Sequence, residues 1–512
     1  MRRVLTLAVA AALLGAVPVA AQTDGDRRLS RAALEDKIRG GWAGQMIGVS
    51  YGAPTEFRSN GRIIRWAIEW KPENVSNSIK QDDLYVEMTF AQVLDSVGLD
   101  ATTEQFGDMF KDSKYELWHA NAAARYLLNR GIKAPWSGHP KYNAHANDID
   151  FQIESDFIGL MSPGLPQQAN IFADRVGRVM NYGDGLYGGM FFSGMYAAAF
   201  FENDPRKVVE MGLKSIPADS GYGRIIRDLL DWSASEPDWQ KTWARITEKW
   251  DRDDACPDGA LNEFNIDARL NGAFVALGLL YGKGDFDRTL DVSTRAGQDS
   301  DCNPSSAAGI LGVMLGYDRI PDRWKSGIPA IADKKFDYTN YSFNEIVAST
   351  MTRALKIVER AGGRVTASDI VVPLEEPKAP ALEQWAVDGP SALVESSNGA
   401  WTWSDGWQQT SWRRRHTMSS DRAGAHARLR FSGTGVAIMG DYDDKGGTAE
   451  VILDGAPAGT IDARALPRTT ETSYWHVSGL KPGEHTVEIR LQGGTGAQSG
   501  IVAIAGAVVY GR

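Results

Sequence analysis

From Ser30 to about Gly362, apolar residues return at helical intervals. In LEDKIRGGWAGQM, the side chains of Leu34, Ile38, Trp42 and Met46 fall at steps of four and share one helical face. The runs MFFSGMYAAAFF and NGAFVALGLLYG are apolar all round and rich in small residues, as buried, closely packed helices are. β-branched alternation is scarce, so residues 30–362 are predicted to form an all-α domain. DIVVPLEEPKAPALEQ ends that pattern: Pro373, Pro377 and Pro380 bar a continuous helix and predict a stiff linker over 363–384. Beyond it the period drops to two. HARLRF, GVAIMG, AEVILDG, HTVEIRL and GIVAIAGAVVYG read as short strands with Gly and Asp-Gly turns, a jelly-roll-like β-sandwich over 385–512.

The first residues follow neither pattern. Arg2 and Arg3 precede an apolar stretch from Val4 to Val17, and Val19-Ala20-Ala21 offers small residues for cleavage before Gln22. This predicts a signal peptide over 1–21 and a secreted or periplasmic protein. No later run of 18 apolar residues predicts a membrane span. The formal charge of −10 becomes −12 without Arg2 and Arg3, the wrong sign for a nucleic-acid partner. Only Cys256 and Cys302 are present, too few for a disulfide scaffold, although one bridge would suit an exported chain. The sequence leaves the oligomeric state open.

Acidic residues then change the picture. Asp82 and Asp83 stand at the start of one helical pattern, in QDDLYVEMTF. Asp299 and Asp301 stand before another, in GQDSDCNPSSAAGILGVMLG, where Asn303 is the expected N-cap and Pro304 the first helical residue. One such start is ordinary capping. Two suggest a shared cation, because hard cations take clusters of oxygen ligands and uncompensated carboxylates repel. A third segment, GGWAGQMIGVSYGAPTEF, has Gly44, Gly48 and Gly52 at steps of four, then Pro54 and Glu56 in a loop. On a surface Glu56 is merely solvated; beside a buried helix end it is a candidate general acid or base.

The three segments together resemble the ADP-ribosylglycohydrolase family. Its Gly-Xaa-Pro-Xaa-Glu turn corresponds to Gly52-Ala53-Pro54-Thr55-Glu56, its Thr-Asp-Asp-Thr segment to Gln81-Asp82-Asp83-Leu84, and its Gly-Gly-Asp-Thr-Asp-Thr segment to Gly297-Gln298-Asp299-Ser300-Asp301-Cys302. The resemblance covers about Leu34 to Gly316. It implies an all-α fold with a cleft for one or two divalent ions, magnesium in the first place and manganese or calcium otherwise. Asp82, Asp83, Asp299 and Asp301 would be ligands, with Gln81 offering a carbonyl oxygen where the family has Thr. Glu56 would be the catalytic carboxylate, and cleavage would fall at the anomeric carbon of a ribose-like sugar.

This chain departs from the pattern at Gln81 and at Cys302, a soft thiol ill suited to magnesium. Cys302 could instead pair with Cys256 or simply pack. SDFIGLMSPG resembles the family's sugar-pocket segment but lacks its Arg, and Asp156 is its candidate catalytic carboxylate. In MNYGDGLYGG, Tyr182, Asp184 and Tyr187 are candidates for substrate contact, as are Gln298 and Asn303. No strand precedes that glycine-rich turn, so a dinucleotide site is excluded. His119, His139 and His145 have no metal-ligand spacing and read as surface or core residues. In the sandwich, Trp401, Trp403, Trp407 and Trp412 suit either sugar stacking or core packing, with packing favoured.

Three functions are therefore expected in order. The first is a secreted, metal-dependent glycoside hydrolase acting on a furanoside or related carbohydrate. The second is hydrolysis of ADP-ribosyl groups from protein or nucleotide. The third is a sugar-binding protein with an inactive cleft.

Overall fold

The computed structural model describes residues 27–251, 254–385, 387–412, 415–465, 469–492 and 500–511. The expected signal peptide, 1–21, lies outside them. The first long helix, Arg31–Gly52, starts where the Ser30 hydroxyl accepts the amide of Ala33 at 3.1 Å. It runs antiparallel to the helix Cys302–Leu315, glycine against backbone. A methyl group at Gly40, Gly44, Gly48 or Gly52 would collide with the carbonyl oxygen of Gly312, Ala308, Pro304 or Ser300 in turn. The glycines thus let two backbones touch over about three turns.

These helices sit in a core built on Trp42, Phe90, Phe106, Phe151, Phe157 and Phe191, all fully buried. The Trp42 indole donates to Thr350 at 3.1 Å, so its one polar atom is satisfied in the interior. The helices Asp184–Ala199 and Ala268–Gly282 are buried nearly all round, as their uniform apolarity predicts. No helix among the described residues is long and apolar enough to cross a membrane.

The expected stiff linker is held against the helical domain. Arg364–Val365 and Asp369–Val372 form a three-stranded antiparallel sheet with Arg27–Ser30, tying the two ends of the helical domain together. The prolines that follow keep the chain extended, and its polar groups then find partners on the helices. Glu375 accepts the amides of Gln167 and Gln168 at the start of the helix Pro166–Gly177, where a carboxylate is favourable. Glu383 pairs with Arg178 at 2.9 Å. The segment is a strap across the helical domain.

The C-terminal domain is an antiparallel sandwich of two sheets. One has the order 456–462, 448–453, 483–491, 426–433, 401–403; the other has 469–477, 435–442, 502–510, 415–420, 408–412, with 390–395 also paired to 502–510. Its interior holds Trp401 with Leu429, Ile438, Val451, Val487 and Ile504, and Trp403, Trp407 and Trp475 pack against it. Trp401 and Trp403 stack at 5.1 Å, on one face as expected, but that face is the core. The side chain of Trp412 lies outside what is described.

The outer face of the second sheet docks on the helical domain. Ala260 is buried against Ala437, Met439, Val508 and Tyr510, and the Tyr510 hydroxyl donates to the Ala255 carbonyl at 2.9 Å. Elsewhere along the contact the His476 ring donates to the Pro140 carbonyl and the Tyr126 hydroxyl to that of Asp462.

Candidate active site

The antiparallel helix pair delivers the first part of the site. At Gly52 the helix ends in a turn that places Thr55 against Ser300, hydroxyl to hydroxyl at 2.7 Å. The Phe57 amide donates to the Gln298 carbonyl at 3.2 Å, and the Gln298 amide to the Ser59 carbonyl at 3.4 Å. Glu56 is thereby stitched to the segment carrying Asp299 and Asp301. Phe57, Gln298 and His119 all adopt positive φ (48°, 56° and 45°), a strained choice for such side chains and one that gathers at functional sites.

Carboxylates then converge from three segments. Ligand atoms of Glu56, Asp299 and Asp301 lie within 4.8 Å of one another, as do those of Asp83, Asp301 and Cys302. Asp301 belongs to both groups, so they are two halves of one cluster. Asp82 stands at its edge, where its charge raises the pKa of Glu56 and of Asp301. Asp83, Asp299 and Asp301 are buried, whereas Glu56 is exposed. Among the described residues no lysine or arginine pairs with Asp82, Asp83, Asp299 or Asp301.

The electrostatic consequence is uniform. Glu56 reaches solvent, yet enough protein surrounds its carboxyl that partial burial, then the Asp301 and Asp82 charges, push it up to about 8. Burial, then Asp83, does the same to Asp301, also to about 8. Asp83 and Asp299 are raised as well, first by burial and then by Asp82 and Asp301 respectively. Asp83 Oδ1 and Asp299 Oδ1 are buried with no hydrogen-bond partner. Unpaired buried oxygens of this kind call for a proton or a cation.

Cys302 is not disulfide-bonded; both cysteines are free and buried. Its thiol donates to Asp83 Oδ2 at 3.3 Å, so it supports a carboxylate rather than replacing a ligand. Gln81 is the N-cap of the helix Asp82–Ser96 through its backbone carbonyl, which accepts the amides of Leu84 and Tyr85.

Several expected contacts fall elsewhere. Asp156 is buried behind the cluster, accepting Tyr196 Oη at 2.7 Å and Ser306 Oγ at 3.0 Å; burial raises it to about 8. Its two internal donors hold one oxygen, Asp156 Oδ2, while Oδ1 is buried without a partner. The Gln298 amide is consumed by the loop 263–265, accepting the Asn265 amide and donating to the Glu263 carbonyl, each at 3.0 Å. Asn303 lies inside its helix rather than capping it, because the helix starts at Cys302, and it donates to Asn271. The Tyr187 hydroxyl is bound to the strap at Ala381 and Glu383. Tyr182 packs on His139 at 4.9 Å, in a different cavity beside the strap, and Asp184 accepts the Tyr222 amide at 2.9 Å.

Two of the histidines depart from what their spacing suggests. His119, His145 and Asp258 bring ligand atoms within 4.8 Å of one another, across 139 positions between His119 and Asp258. His145 Nδ1 is 2.9 Å from Asp148, and His119 Nδ1 is 3.1 Å from Asp258. Burial opposes charge on His119, but Asp258 and Asp148 outweigh it and raise its pKa. Asp150 accepts the amides of Ala120 and Asn121, anchoring the helix that His119 begins. Trp118-His119 at a helix start is the one signal in the sequence that points there.

The model of the ADP-ribosylglycohydrolase family matches residues 30–352, which contain all of this acidic cluster. The chain belongs to the ADP-ribosylglycohydrolase family. The family is typically dependent on divalent metal, and its activity is hydrolytic. A solved structure described as an ADP-ribosylglycohydrolase-related protein complex is similar at 14% identity and a TM-score of 0.43, covering 63% of this chain and 98% of that one. A family 35 carbohydrate binding module from an environmental isolate is similar at 14% identity and a TM-score of 0.18, covering 23% of this chain and 90% of that one. A two-domain esterase active on acetylated mannans is similar at 19% identity and a TM-score of 0.22, over 33% of this chain and 46% of that one. No curated protein matches.

Proposed function

We propose that this member of the ADP-ribosylglycohydrolase family is a secreted, divalent-metal-dependent glycoside hydrolase that cleaves a furanoside or related sugar at its anomeric carbon. The observation that carries the reading is the exposed Glu56 held within 4.8 Å of Asp299 and Asp301.

The donor set fits a hard cation. It is carboxylate throughout, two of its buried oxygens lack partners, and the one thiol is turned to donate. Asp83, Asp299 and Asp301 would hold the ion, with Asp82 at the rim; magnesium, manganese and calcium all suit these oxygens. When bound, the ion polarises sugar hydroxyls and water and offsets charge in the transition state. Glu56 acts on protons. Exposed at the edge of the cluster, it is placed to give a proton to a departing oxygen and to take one from water. The loop stitched to Gln298 and Ser300 fixes its carboxyl relative to the ring.

Met161, Ser162 and Pro163 are buried where the family's segment carries Arg, so no guanidinium is offered there to a phosphate. That favours a neutral sugar. The leader from Arg2 to Ala21 supports export, away from intracellular ADP-ribosylated protein. The family match itself favours the second reading, ADP-ribosyl hydrolysis. A panel of aryl furanosides, furanose disaccharides and an ADP-ribosylated peptide, each with Mg²⁺ and with EDTA, separates them. Metal-dependent release from the furanosides supports the proposal. Turnover of the ADP-ribosyl peptide alone overturns it, as does sugar binding with no turnover at all.

A further inference from the structure

The docked sandwich leaves a second opening beside the acidic cluster. A cavity of about 580 Å³ lies between the two domains. His119, Asp258 and Phe264 line it from the helical side, and Leu393, Glu395 and His416 from the sheet. Its volume falls within the roughly 300–1,000 Å³ of small-molecule sites.

Its near wall is shared with the acidic cluster. Phe264 packs on Phe57 at 4.9 Å, next in sequence to Glu56, and both belong to the small apolar cluster that includes Cys302. His119 lies 5.7 Å from Phe264, ring to ring, and its charge acts on Asp82 and Asp150. Its far wall is the strand Pro390–Glu395 against Val502–Tyr510, with Leu393 opposite Val508 and Glu395 opposite Gly506. Leu393 is 45% exposed, an apolar side chain kept bare on a face otherwise used for docking.

The lining specifies a chemistry. Leu393 offers C–H surface for one face of a ring, and Asp258, Glu395 and His416 offer hydrogen-bonding groups for hydroxyls. Among the described residues no lysine or arginine lines it. A pyrophosphate would set its negative charges beside the carboxylate of Glu395, a mismatch that discriminates against it. A neutral ring meets no such penalty.

We propose that this cavity is the leaving-group subsite of the cleft, completed by the β-sandwich, and that it takes an uncharged sugar ring. The inference rests on the glycosidase reading above and names its substrate class. The domain then serves substrate binding through its outer sheet face, not through its tryptophans.

The test uses the full chain with Mg²⁺ and the variants Leu393→Trp, which fills the subsite, and Leu374→Trp, a control on the strap that lines neither cavity. Substrates are neutral furanose disaccharides and the matching glycosyl fluorides, whose leaving group is a single atom. The disaccharide-to-fluoride ratio of kcat/KM is expected to fall about tenfold or more in Leu393→Trp and to stay unchanged in Leu374→Trp. An unchanged ratio in Leu393→Trp overturns the subsite. If the wild-type chain turns over neither substrate, the glycosidase reading fails separately. Saturation-transfer NMR with the disaccharide then decides the subsite: a transfer signal that disappears in Leu393→Trp supports it, and a signal that persists there or never arises in the wild type overturns it. Glu395→Lys gives a second reading, expected to weaken the disaccharide; if it instead confers tighter ADP-ribose binding with no loss on the sugar, the neutral-ring assignment is wrong.

Discussion

Buried acids in the two domains are treated in opposite ways. In the sandwich, Glu488 is nearly buried and lies between two guanidinium groups, Arg428 and Arg490, at 2.6 Å each. Burial alone would raise its pKa; the two arginines outweigh that and leave it lowered. In the helical domain Asp83, Asp299 and Asp301 are at least as buried and face other carboxylates. One domain neutralises its charge internally; in the other, among the described residues, no lysine or arginine meets the acids, an arrangement that the proposed cation would complete.

The largest test of this contrast is catalytic. Glu56→Gln removes the proton carrier but not the buried acids, so activity should fall by about 10²–10⁴-fold with bound metal retained. Metal analysis by plasma emission beside the rate measurement checks both halves, and normal turnover would reduce Glu56 to a surface residue. Next in size is a pair of charge removals with opposite signs. Asp299→Asn should strip most metal from the chain yet stabilise the metal-free protein by about 1–3 kcal/mol, because it relieves repulsion. Glu488→Gln should destabilise, but by less, about 0–1 kcal/mol, because Arg428 and Arg490 are half exposed and water takes up their charge. Denaturant melts in EDTA read both, and two shifts of the same sign would break the comparison.

A third test uses pH. Glu56, Asp301 and Asp156 sit at about 8 in the folded chain, above their unfolded values near 4. Between those limits the folded state binds more protons, so metal-free stability falls as pH rises from about 4 to about 8. Divalent metal supplies the missing charge, and the gain in Tm on adding Mg²⁺ should be larger at pH 8 than at pH 6. A gain independent of pH would place the metal away from these acids. The smallest effect is expected at Ser306→Ala, which removes one donor to Asp156: turnover should stay within about threefold if Asp156 only supports the cluster from behind.

Much of this is legible in the sequence. The change of period from 3.6 to 2 marks the boundary between domains, and glycines at steps of four announce the helix pair that brings Glu56 to Asp299. The acids themselves are readable because each pair stands at a helix start. Side-chain direction is not. Gln298 and Asn303 lie within the motif, yet their amides are used up by Asn265, Glu263 and Asn271, partners distant in sequence. The same holds for His119 and Asp258, where spacing carries no information because the contact is made by tertiary packing. The prolines at 373, 377 and 380 read as a spacer, but an extended chain also makes a good strap once Glu375 and Glu383 find a helix start and an arginine.

The glycine seam between Arg31–Gly52 and Cys302–Leu315 has a consequence for how such enzymes can vary. Gly40 lies twelve residues from Gly52, about 18 Å along the rod at 1.5 Å per residue. Both helices are stiff, so a single added methyl anywhere on that line acts as a wedge whose tilt is magnified at the far end, where Glu56 faces Asp299 and Asp301. The positions least free to drift over generations are therefore ones that no substrate ever touches.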